Sequence, residues 1–479
     1  MDINAAQQKT ATPGLFPRAR LATSNWNPWH GGAILIIMAL LRVPLWAQDQ
    51  AVDQQAREPS VDQRIQELQQ QLEDLKEEVR VQQVNGQNAA STTADTTGFT
   101  ISSRDGNFVL HIGADLQVDN RTYFGSNSSS DIDTIVLRRV RPTLYGTVYK
   151  YVDFFFRPDF GLGTTAIYDA YIQLNYFRWA QVRAGKFKPP IGMERLQSDD
   201  DTNFVERGLP TLLVPQRDIG YQIGGDLFHR RASYQLGVFN GVPDSSIGTD
   251  TATSNHRDYA ARLFLTPFAP NTNEGALGGL GFGFAASGGN TDGETLPTFK
   301  TFGQQAFFTF NSGVTAAGHR TRLAPQAYYY LGAFGLLTEY GANQEGFQKG
   351  TLRREISFRA YNVELTYILT GEKKGFLSPT PKHPLDPLHR NGGGWGAWEV
   401  AVRVEDFEAE NGVYTYGLVS PAVTPRHLHE WTGGVNWYLN RLVRITGDYG
   451  VTAFGGGAAN NGNKPAEKVF TMRFQINFT

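Results

Sequence analysis

The sequence predicts an all-β transmembrane barrel of about 16 antiparallel strands, preceded by a short N-terminal coiled-coil helix. The first observation is the C-terminal segment 469–479, in which apolar and polar side chains alternate with the period of two that a β-strand gives. Its apolar face consists of Phe470, Met472, Phe474, Ile476 and Phe478. A soluble sandwich alternates as well, but an aromatic-rich strand with a polar opposite face is typical of a barrel with lipid outside and water inside. The second observation is that the same alternation recurs from Phe99 onward.

The composition fits this class and excludes some partners. The 479 residues carry a formal net charge of −2, which gives no electrostatic reason to expect a nucleic-acid partner. Cysteine is absent, as suits an oxidising periplasm or cell surface. The 52 Gly, 31 Phe and 20 Tyr residues match the needs of tight barrel turns and of aromatic girdles at membrane interfaces.

Residues 1–47 read as a secretory signal peptide. The apolar run Ala33–Leu41 follows basic residues and is too short to span a bilayer as a helix. Leu45-Trp46-Ala47 resembles a small-residue cleavage site, so the mature chain is expected to start near Gln48. The long polar stretch before the apolar run indicates a true start downstream of Met1. The alternative is a short buried helix.

A coiled coil is predicted over residues 61–84, after a polar spacer at 48–60. Apolar residues recur there at spacings of four and three, which is the a/d pattern of a heptad seam, while almost every other position is polar. The seam consists of Val61, Ile65, Leu68, Leu72, Leu75 and Val79. The alternative is an amphipathic helix packed on its own domain. Residues 85–98, rich in Asn, Ala, Ser and Thr, are predicted to be a flexible linker.

Residues 99–479 are predicted to form the barrel. At roughly 24 residues per strand with its connections, they hold about 16 strands, an even number that leaves an aqueous lumen. One clear alternation sets outward Val136, Val140, Leu144 and Val148 against inward Arg139, Arg141, Thr143 and Thr147. Two segments leave the count open. Residues 302–310 are a strand or part of an external loop, and residues 371–394 are a long connection where a short periplasmic turn is expected.

Several motifs resemble the phosphate-selective porin O and P family, and the resemblance covers nearly the whole barrel. The motifs are Arg138-Arg139-Val140-Arg141-Pro142, Tyr168-Asp169-Ala170-Tyr171, the run from Ala184 to Gly192, the run from Pro325 to Tyr330, Leu369-Thr370-Gly371-Glu372, Gly396-Ala397-Trp398-Glu399 and Gly434-Val435-Asn436-Trp437-Tyr438. The resemblance implies trimers of 16-stranded barrels, in which lumenal arginines and loop lysines attract anions.

One segment departs from that family pattern. The connection from Pro189 to Asp218 should be the loop that folds inward to constrict the lumen, yet its six acidic residues outnumber its three arginines. The predicted constriction-loop acids are Asp199, Asp200 and Asp201. A phosphate-selective constriction should be cationic, so strict phosphate selectivity is not expected from the resemblance.

Strand alternation predicts a lumen with balanced charge. It directs ten arginines inward: Arg139, Arg141, Arg157, Arg183, Arg262, Arg320, Arg322, Arg403, Arg444 and Arg473. It also directs ten acids inward: Asp115, Asp119, Asp153, Asp159, Asp169, Asp258, Glu364, Glu399, Glu405 and Asp448. Such a balance indicates lumenal ion pairs, or a basic wall facing an acidic loop.

The pore-lining residues expected to contact anions come from strands near the constriction loop. They are Arg139, Arg141, Arg157 and Arg183, with Lys186 and Lys188 where that loop begins. A guanidinium group suits the oxygen pair of a phosphate or carboxylate. The alternative for any single arginine is a solvated, partly paired wall residue.

The predicted function is that of an outer-membrane porin, a water-filled channel for passive diffusion of small hydrophilic solutes with a bias to anions such as phosphate. The predicted location is the outer membrane of a Gram-negative bacterium, with the coiled coil in the periplasm. Expected partners are outer-membrane lipid, further copies of the chain in a homotrimer, small anionic solutes, and peptidoglycan through the coiled coil. The alternative function is a tether between outer membrane and cell wall whose pore is secondary.

A barrel enzyme is the third hypothesis, and the sequence gives it little support. No nucleophile elbow of the Gly-x-Ser-x-Gly type lies at a strand-to-helix turn. His427 and His429 share one face of a strand, but their neighbours do not complete a metal site. The glycine runs 392–394 and 455–457 lack the Lys-Ser/Thr and helix of a phosphate-binding loop. No catalytic residue, metal or cofactor is therefore expected.

Overall fold

The computed structural model describes residues 61–88, 90–95, 98–125, 131–247, 251–252, 254–268, 275–388, 393–457 and 464–479. The chain divides into two units, of which the smaller holds the N-terminal helix and the larger holds the barrel. The predicted signal peptide and polar spacer, residues 1–60, lie outside the described residues. No helix in the described part of the chain is long and apolar enough to cross a membrane.

The N-terminal unit contains helix α1, Val61–Asn88. Five apolar positions of the predicted seam are 46–62% exposed, and they are Ile65, Leu68, Leu72, Leu75 and Val79. A polar helix with one exposed apolar stripe has no core of its own to cover that stripe. The helix continues four residues beyond the predicted end at residue 84. That the seam forms a coiled coil stays a prediction.

The described residues of the barrel unit contain twenty strands, bounded as follows in chain order. They are β1 Ser91–Asp95, β2 Gly98–Ser102, β3 Phe108–Tyr123, β4 Thr134–Val148, β5 Val152–Asp159, β6 Ala166–Phe177, β7 Ala180–Phe187, β8 Asp218–Leu227, β9 Ala232–Phe239, β10 Asp258–Leu265, β11 Leu280–Glu294, β12 Phe299–Lys300, β13 Ala306–Phe308, β14 Val314–Leu331, β15 Phe334–Lys349, β16 Leu352–Ile368, β17 Ala397–Ala409, β18 His427–Tyr438, β19 Val443–Gly455 and β20 Glu467–Asn477.

Sixteen of these strands close into an antiparallel barrel. Each of β3–β11 and β14–β20 pairs with its neighbours, and β20 pairs with β3 to complete the ring. The C-terminal strand has the predicted faces, since Phe474 and Ile476 are exposed whereas Arg473 and Gln475 are buried inside. The predicted fold class and the number of strands are therefore confirmed.

Part of the predicted linker is a strand. Residues 91–95 form β1, which pairs with β2, and β2 in turn adds to the edge of β3. The composition of this Ser/Thr-rich segment predicts a flexible linker. Its β-branched threonines nevertheless favour an extended chain once a partner strand supplies hydrogen bonds. The barrel sheet thus begins before Phe99, where the sequence placed its start.

A β-bulge in β4 corrects the alternation predicted for that strand. The register shifts between Gln117 and Val118 of β3, so Arg138 is an extra residue of β4. Because one extra residue inverts the side-chain parity, Val136 pairs with Asp119 on the inner face. The outward residues are instead Ile135 and Leu137, which are 74% and 56% exposed.

The connections define the two ends of the barrel. Those at 149–151, 178–179, 228–231, 332–333 and 439–442 are short turns, all at one end. Long loops gather at the other end, among them 188–217, 295–313 and 410–426, hereafter L3, L5 and L7. Short turns face the periplasm and long loops face outward in outer-membrane barrels. The connection at 369–396, by contrast, is long and lies at the periplasmic end.

L5 and L7 fill part of the extracellular mouth with apolar side chains. The segment 302–310 belongs to L5, whose short hairpin of β12 and β13 folds inward. Phe299 and Phe308 pack on Phe358 and Phe407 of the wall, in a cluster that also includes Leu418 of L7. This part of the mouth is therefore a packed apolar core, which the charged alternation of the strands did not indicate.

Candidate functional site in the barrel lumen

L3 enters the lumen and is fixed to the inner wall through its backbone. The N–H groups of Met193 and Glu194, in the single-turn helix α2 (Met193–Leu196), both donate to the Glu339 carboxylate at 3.0 Å. The Leu209 N–H donates to Glu405 at 2.6 Å, and the Val205 N–H donates to Asp448 at 2.7 Å. These hydrogen bonds help to stabilise the buried wall carboxylates, because each receives at least one N–H donor in place of water.

Close approach of L3 to the wall requires a glycine at position 208. A Cβ atom there would lie 2.5 Å from Nδ2 of Asn362 and 3.0 Å from a carboxylate oxygen of both Glu194 and Glu405. The Gly208 N–H donates to Glu194 at 2.8 Å. Any side chain at this position would push the loop away from β16 and β17.

The acids of L3 contact the arginines of the wall directly. Asp199 forms ion pairs with Arg139, at 3.4 Å, and with Arg141 and Arg207. Asp200 accepts from Ser198 Oγ at 2.9 Å, and Asp201 accepts from the backbone N–H of Ser378 at 2.9 Å. Asp199 is therefore the constriction-loop acid that neutralises wall arginines, whereas Asp200 is bound within L3 and Asp201 is bound by the connection 369–396.

Glu206 is the second acid of L3 that binds the arginines, and the sequence analysis missed its role. Arg138 donates to it through Nε at 2.8 Å and through Nη2 at 3.1 Å, and Arg121 lies 3.4 Å away. Burial raises the pKa of Glu206, but Arg138, Arg139 and Arg121 outweigh burial and hold that pKa well below its usual range. Its carboxylate is therefore ionised at neutral pH.

The resulting cluster has a positive excess. Six guanidinium groups share four carboxylates within 4 Å, which leaves two more positive than negative charges. The members are Arg121, Arg138, Arg139, Arg141, Arg207 and Arg473 with Asp119, Asp159, Asp199 and Glu206. Of the two arrangements that the balanced charge predicted, the structure has lumenal ion pairs rather than a basic wall set apart from an acidic loop. The wall and the loop are in contact, because L3 lies against β3 and β4.

Excess negative charge lies on the far wall and is covered. Arg403 has four carboxylates within 4 Å, at Glu194, Glu364, Glu405 and Glu430. The inward-facing acids of β14–β19 are all buried in the described structure, beneath loops that include L3 and the connection 369–396. These acids therefore belong to packed ion-pair networks rather than to a surface that a passing solute meets.

Several side chains of β3–β7 and of the start of L3 face the lumen and keep partial solvent exposure. Among them are His111, Tyr145, Phe155, Arg157, Tyr171, Asn175 and Lys188. Arg157 donates through Nε to Thr143 Oγ1 at 2.9 Å, and Arg183 beside it donates to Gln173 Oε1 at 2.8 Å. We infer that the water-filled path follows this wall.

Lys188 stands at the root of L3 on the same wall. Its ammonium group donates to the backbone carbonyls of Leu196 and Gln197, at 3.3 and 2.7 Å. Burial lowers the pKa of Lys188 well below its usual value, and the guanidinium groups of Arg217 and Arg207 lower it further. A lysine in these surroundings loses its proton at a lower pH than an exposed lysine does.

The structure thus separates the six predicted anion contacts into three groups. Arg139 and Arg141 lie in the ion cluster with Asp199, and Arg157 and Lys188 keep partial exposure. Arg183 is buried on the same wall as Arg157. Lys186 is buried in β7, between Ala170 and Ile219, and is not among the exposed lumenal side chains. The aromatic residues of this wall were missed, although Tyr145, Phe155 and Tyr171 occupy inward positions in the strand alternation.

Comparisons with known proteins agree with this architecture. A sequence model of the phosphate-selective porin O and P family matches residues 110–478. Porin O of Pseudomonas aeruginosa is 24% identical over 410 residues, which cover 80% of this chain and 91% of that protein. The outer-membrane channel DcaP of Acinetobacter baumannii has 9% sequence identity and a TM-score of 0.51, covering 78% of this chain and 99% of that one.

The family match extends over more than three quarters of the chain and covers all or nearly all of every strand of the closed barrel. It indicates a channel rather than an enzyme, in agreement with a lumen lined by charged and aromatic side chains. The chain therefore belongs to the phosphate-selective porin O and P family and is an outer-membrane porin.

Proposed function

We propose that this porin is a homotrimeric diffusion channel with a modest preference for small anions such as phosphate. The observation that carries the proposal is the distribution of charge around the lumen. The wall of β3–β7 bears the partly exposed Arg157 and, at the start of L3, the partly exposed Lys188, with Arg183 buried beside them, whereas the inward-facing acids of β14–β18 are buried. A solute on the exposed side meets excess positive charge, which raises the local concentration of anions.

The preference is expected to be modest because part of the positive charge is already neutralised. Asp199 and Glu206 accept from the arginines of β3 and β4, so an entering anion has to compete with a bound carboxylate there. Arg157 has Thr143 and the Phe155 ring as its contacts, and in the described part of the chain no carboxylate lies within 4 Å of it. Arg157 is therefore the arginine that we expect to act most directly on anions.

The exposed seam of α1 supports a trimer with a three-stranded helical assembly. A stripe of Ile65, Leu68, Leu72, Leu75 and Val79 on a single helix leaves apolar surface in water. Two further copies of the helix would cover that surface by coiled-coil packing, and we place this assembly in the periplasm. Binding of α1 to peptidoglycan stays a prediction. The alternative of a tether with a secondary pore receives no support from the relatives found.

The test is the reversal potential of the purified, membrane-inserted protein in asymmetric KCl. We expect the sign of the reversal potential to show that chloride passes more readily than potassium. In Arg157→Gln, we expect the reversal potential to shift in the direction of potassium preference. Glu355→Gln serves as the control, because its carboxylate bonds the exposed Gln344 on the outside of the barrel. A wild-type channel that prefers potassium would contradict the proposed function.

A further inference from the structure

Six ring side chains form a continuous row along the exposed lumenal wall. His111 of β3, Tyr145 of β4, Phe155 of β5 and Tyr171 of β6 pair in direct register, each opposite the next. Their ring centroids are separated by 4.7, 5.9 and 5.4 Å in turn. Phe187 and Phe239 extend the row, at 5.9 and 5.5 Å. The row thus leads from the periplasmic part of β3 to the root of L3.

Two glycines make room for the row where it passes β7 and β8. Gly185 lies opposite Tyr171, and a Cβ atom there would come within 2.9 Å of the Tyr171 Cβ. Gly220 lies opposite Phe239, and its Cβ would come within 2.6 Å of that ring. Gly185 also has a φ of 135°, a conformation that residues with a side chain rarely adopt. The absence of a side chain at these two positions therefore leaves the space that the rings occupy next to β7 and β8.

Guanidinium groups lie on both sides of the row. Arg157, two residues from Phe155 toward the extracellular end, has its guanidinium carbon 4.9 Å from the centre of that ring. Arg183, on the periplasmic side of Gly185, lies 4.5 Å from the Tyr171 ring and 5.1 Å from the Phe187 ring. Contact with a ring face holds a guanidinium group in place while its N–H donors point outward around the plane.

The orientation of the rings determines which solutes they attract. The first four rings are nearly parallel to their neighbours, with interplanar angles of 16°, 30° and 3°. Parallel rings that stand side by side on a wall present their edges to the lumen, and the edge of an aromatic ring is its positive part. The negative face of a solute's own aromatic ring fits such edges. The aliphatic face of a sugar gains less, because it prefers ring faces.

We propose that the row of Tyr145, Phe155 and Tyr171, together with the partly exposed Arg157, is a binding site for aromatic monocarboxylates. The carboxylate would accept from a guanidinium group through two oxygens, while the aromatic ring of the solute lies across the ring edges. This proposal rests on the anion preference proposed above and names a class of solute for it. The site lies on the path between the root of L3 and the periplasmic mouth, so bound solute obstructs the chloride current.

The experiment compares benzoate with cyclohexanecarboxylate as blockers of single-channel chloride current through the full-length protein. The two probes have the same charge and similar size, and only benzoate has an aromatic face. We expect benzoate to reach half-block at a concentration about 2- to 12-fold lower, the ratio that an edge-to-face contact gives. Equal half-blocking concentrations in the wild-type channel would overturn the proposal.

Variants separate this site from general anion preference. In Phe155→Leu and in Tyr171→Leu, the ratio of the two half-blocking concentrations should fall to about one. Phe156→Leu is the matched control, since Phe156 is the adjacent residue of β5 and faces outward, and it should keep the wild-type ratio. If Phe155→Leu and Tyr171→Leu both kept the wild-type ratio of half-blocking concentrations, the proposal would be overturned. Preference for potassium in asymmetric KCl would instead contradict the proposed function, whatever the ratio.

Discussion

Arg138 of β4 and Glu206 of L3 form a two-bond ion pair, with Nε–Oε1 at 2.8 Å and Nη2–Oε2 at 3.1 Å. Arg138 is also the extra residue of the β4 bulge. Without the bulge, alternation would place positions 138 and 139 on opposite faces of the wall. The bulge allows both arginines to reach L3, so an irregularity of one strand determines how the constriction loop is held.

Loss of this ion pair should loosen L3. In Glu206→Gln, the buried guanidinium groups of Arg138 and Arg121 lose their shared carboxylate, and breaking a buried pair typically costs about 3–5 kcal/mol. We expect faster tryptic cleavage within L3, noisier single-channel current and a shift toward anions, because one negative charge is removed. Glu355→Gln should change none of the three. Cleavage at the wild-type rate would show that the pair does not hold the loop.

Asp199 and Asp201 of L3 should differ in their effect on selectivity. Asp199→Asn removes a carboxylate shared by Arg139, Arg141 and Arg207, so the reversal potential should shift toward anions. Asp201→Asn should shift it less, since Asp201 accepts from a backbone N–H of the connection 369–396. The difference should shrink at 1 M salt, where the Debye length is about 3 Å. Equal shifts at low salt would contradict the assignment.

Selectivity should also fall when the wall arginines are removed together. The triple variant of Arg139, Arg141 and Arg183 to Gln takes three positive charges from the lumen and leaves Asp199 with fewer partners. We expect a shift toward cations that is larger than that of Arg157→Gln alone. An unchanged reversal potential in the triple variant would show that these residues do not govern permeation.

The pH dependence of selectivity should report Lys188. Its pKa is lowered by burial and by Arg217 and Arg207, so its positive charge is present at low pH and is lost as pH rises, at lower values than for an exposed lysine. Anion preference should therefore decrease as pH rises through that range. Lys188→Met should abolish this pH-dependent decrease in anion preference, while Lys150→Met, at an exposed periplasmic turn, should retain it. If the decrease persisted in Lys188→Met, a group other than Lys188 would be responsible for it.

The helix seam can be tested independently of the channel. Replacing Leu68, Leu72 and Leu75 with Asp places charges on the exposed apolar stripe and should prevent association of the helices, while the barrel stays folded. Because the chain has no cysteine, a single Val79→Cys substitution reports proximity of subunits. Disulfide-linked subunits should form on oxidation and should disappear when the three Asp substitutions are added. Monomeric protein in native membranes would refute the trimer.

Strand faces could be predicted from the sequence, because a period of two is a local property of the chain. Arg403 and Arg473 occupy the inner positions that alternation assigned to them. The bulge at Arg138 could not be predicted in this way, since it depends on the register with Gln117 and Val118 of another strand. The partners of Asp199 depend on how L3 folds back, which no local pattern specifies.

The apolar packing in the extracellular mouth could not be predicted from local sequence patterns either. Phe307 and Phe308 have the composition of a strand, and only their packing on Phe407 shows that they belong to an inward loop. The aromatic row, by contrast, could have been recognised from the sequence. Tyr145, Phe155 and Tyr171 stand where alternation expects polar residues, so aromatic residues at inward positions can indicate a lumenal site.

The contact between Lys374 and Asn203 has a consequence for the order of folding. Lys374 donates to the Asn203 side chain at 2.7 Å and to Glu399 at 2.6 Å, so the connection 369–396 supports L3 from the periplasmic side. Asn203 and Lys374 are 171 residues apart in the chain. Contacts of such long sequence separation form late, since the intervening chain has to be ordered first. We therefore expect L3 to reach its final position only after β8–β16 have folded. A barrel that stopped folding before that stage would have a lumen that L3 does not constrict.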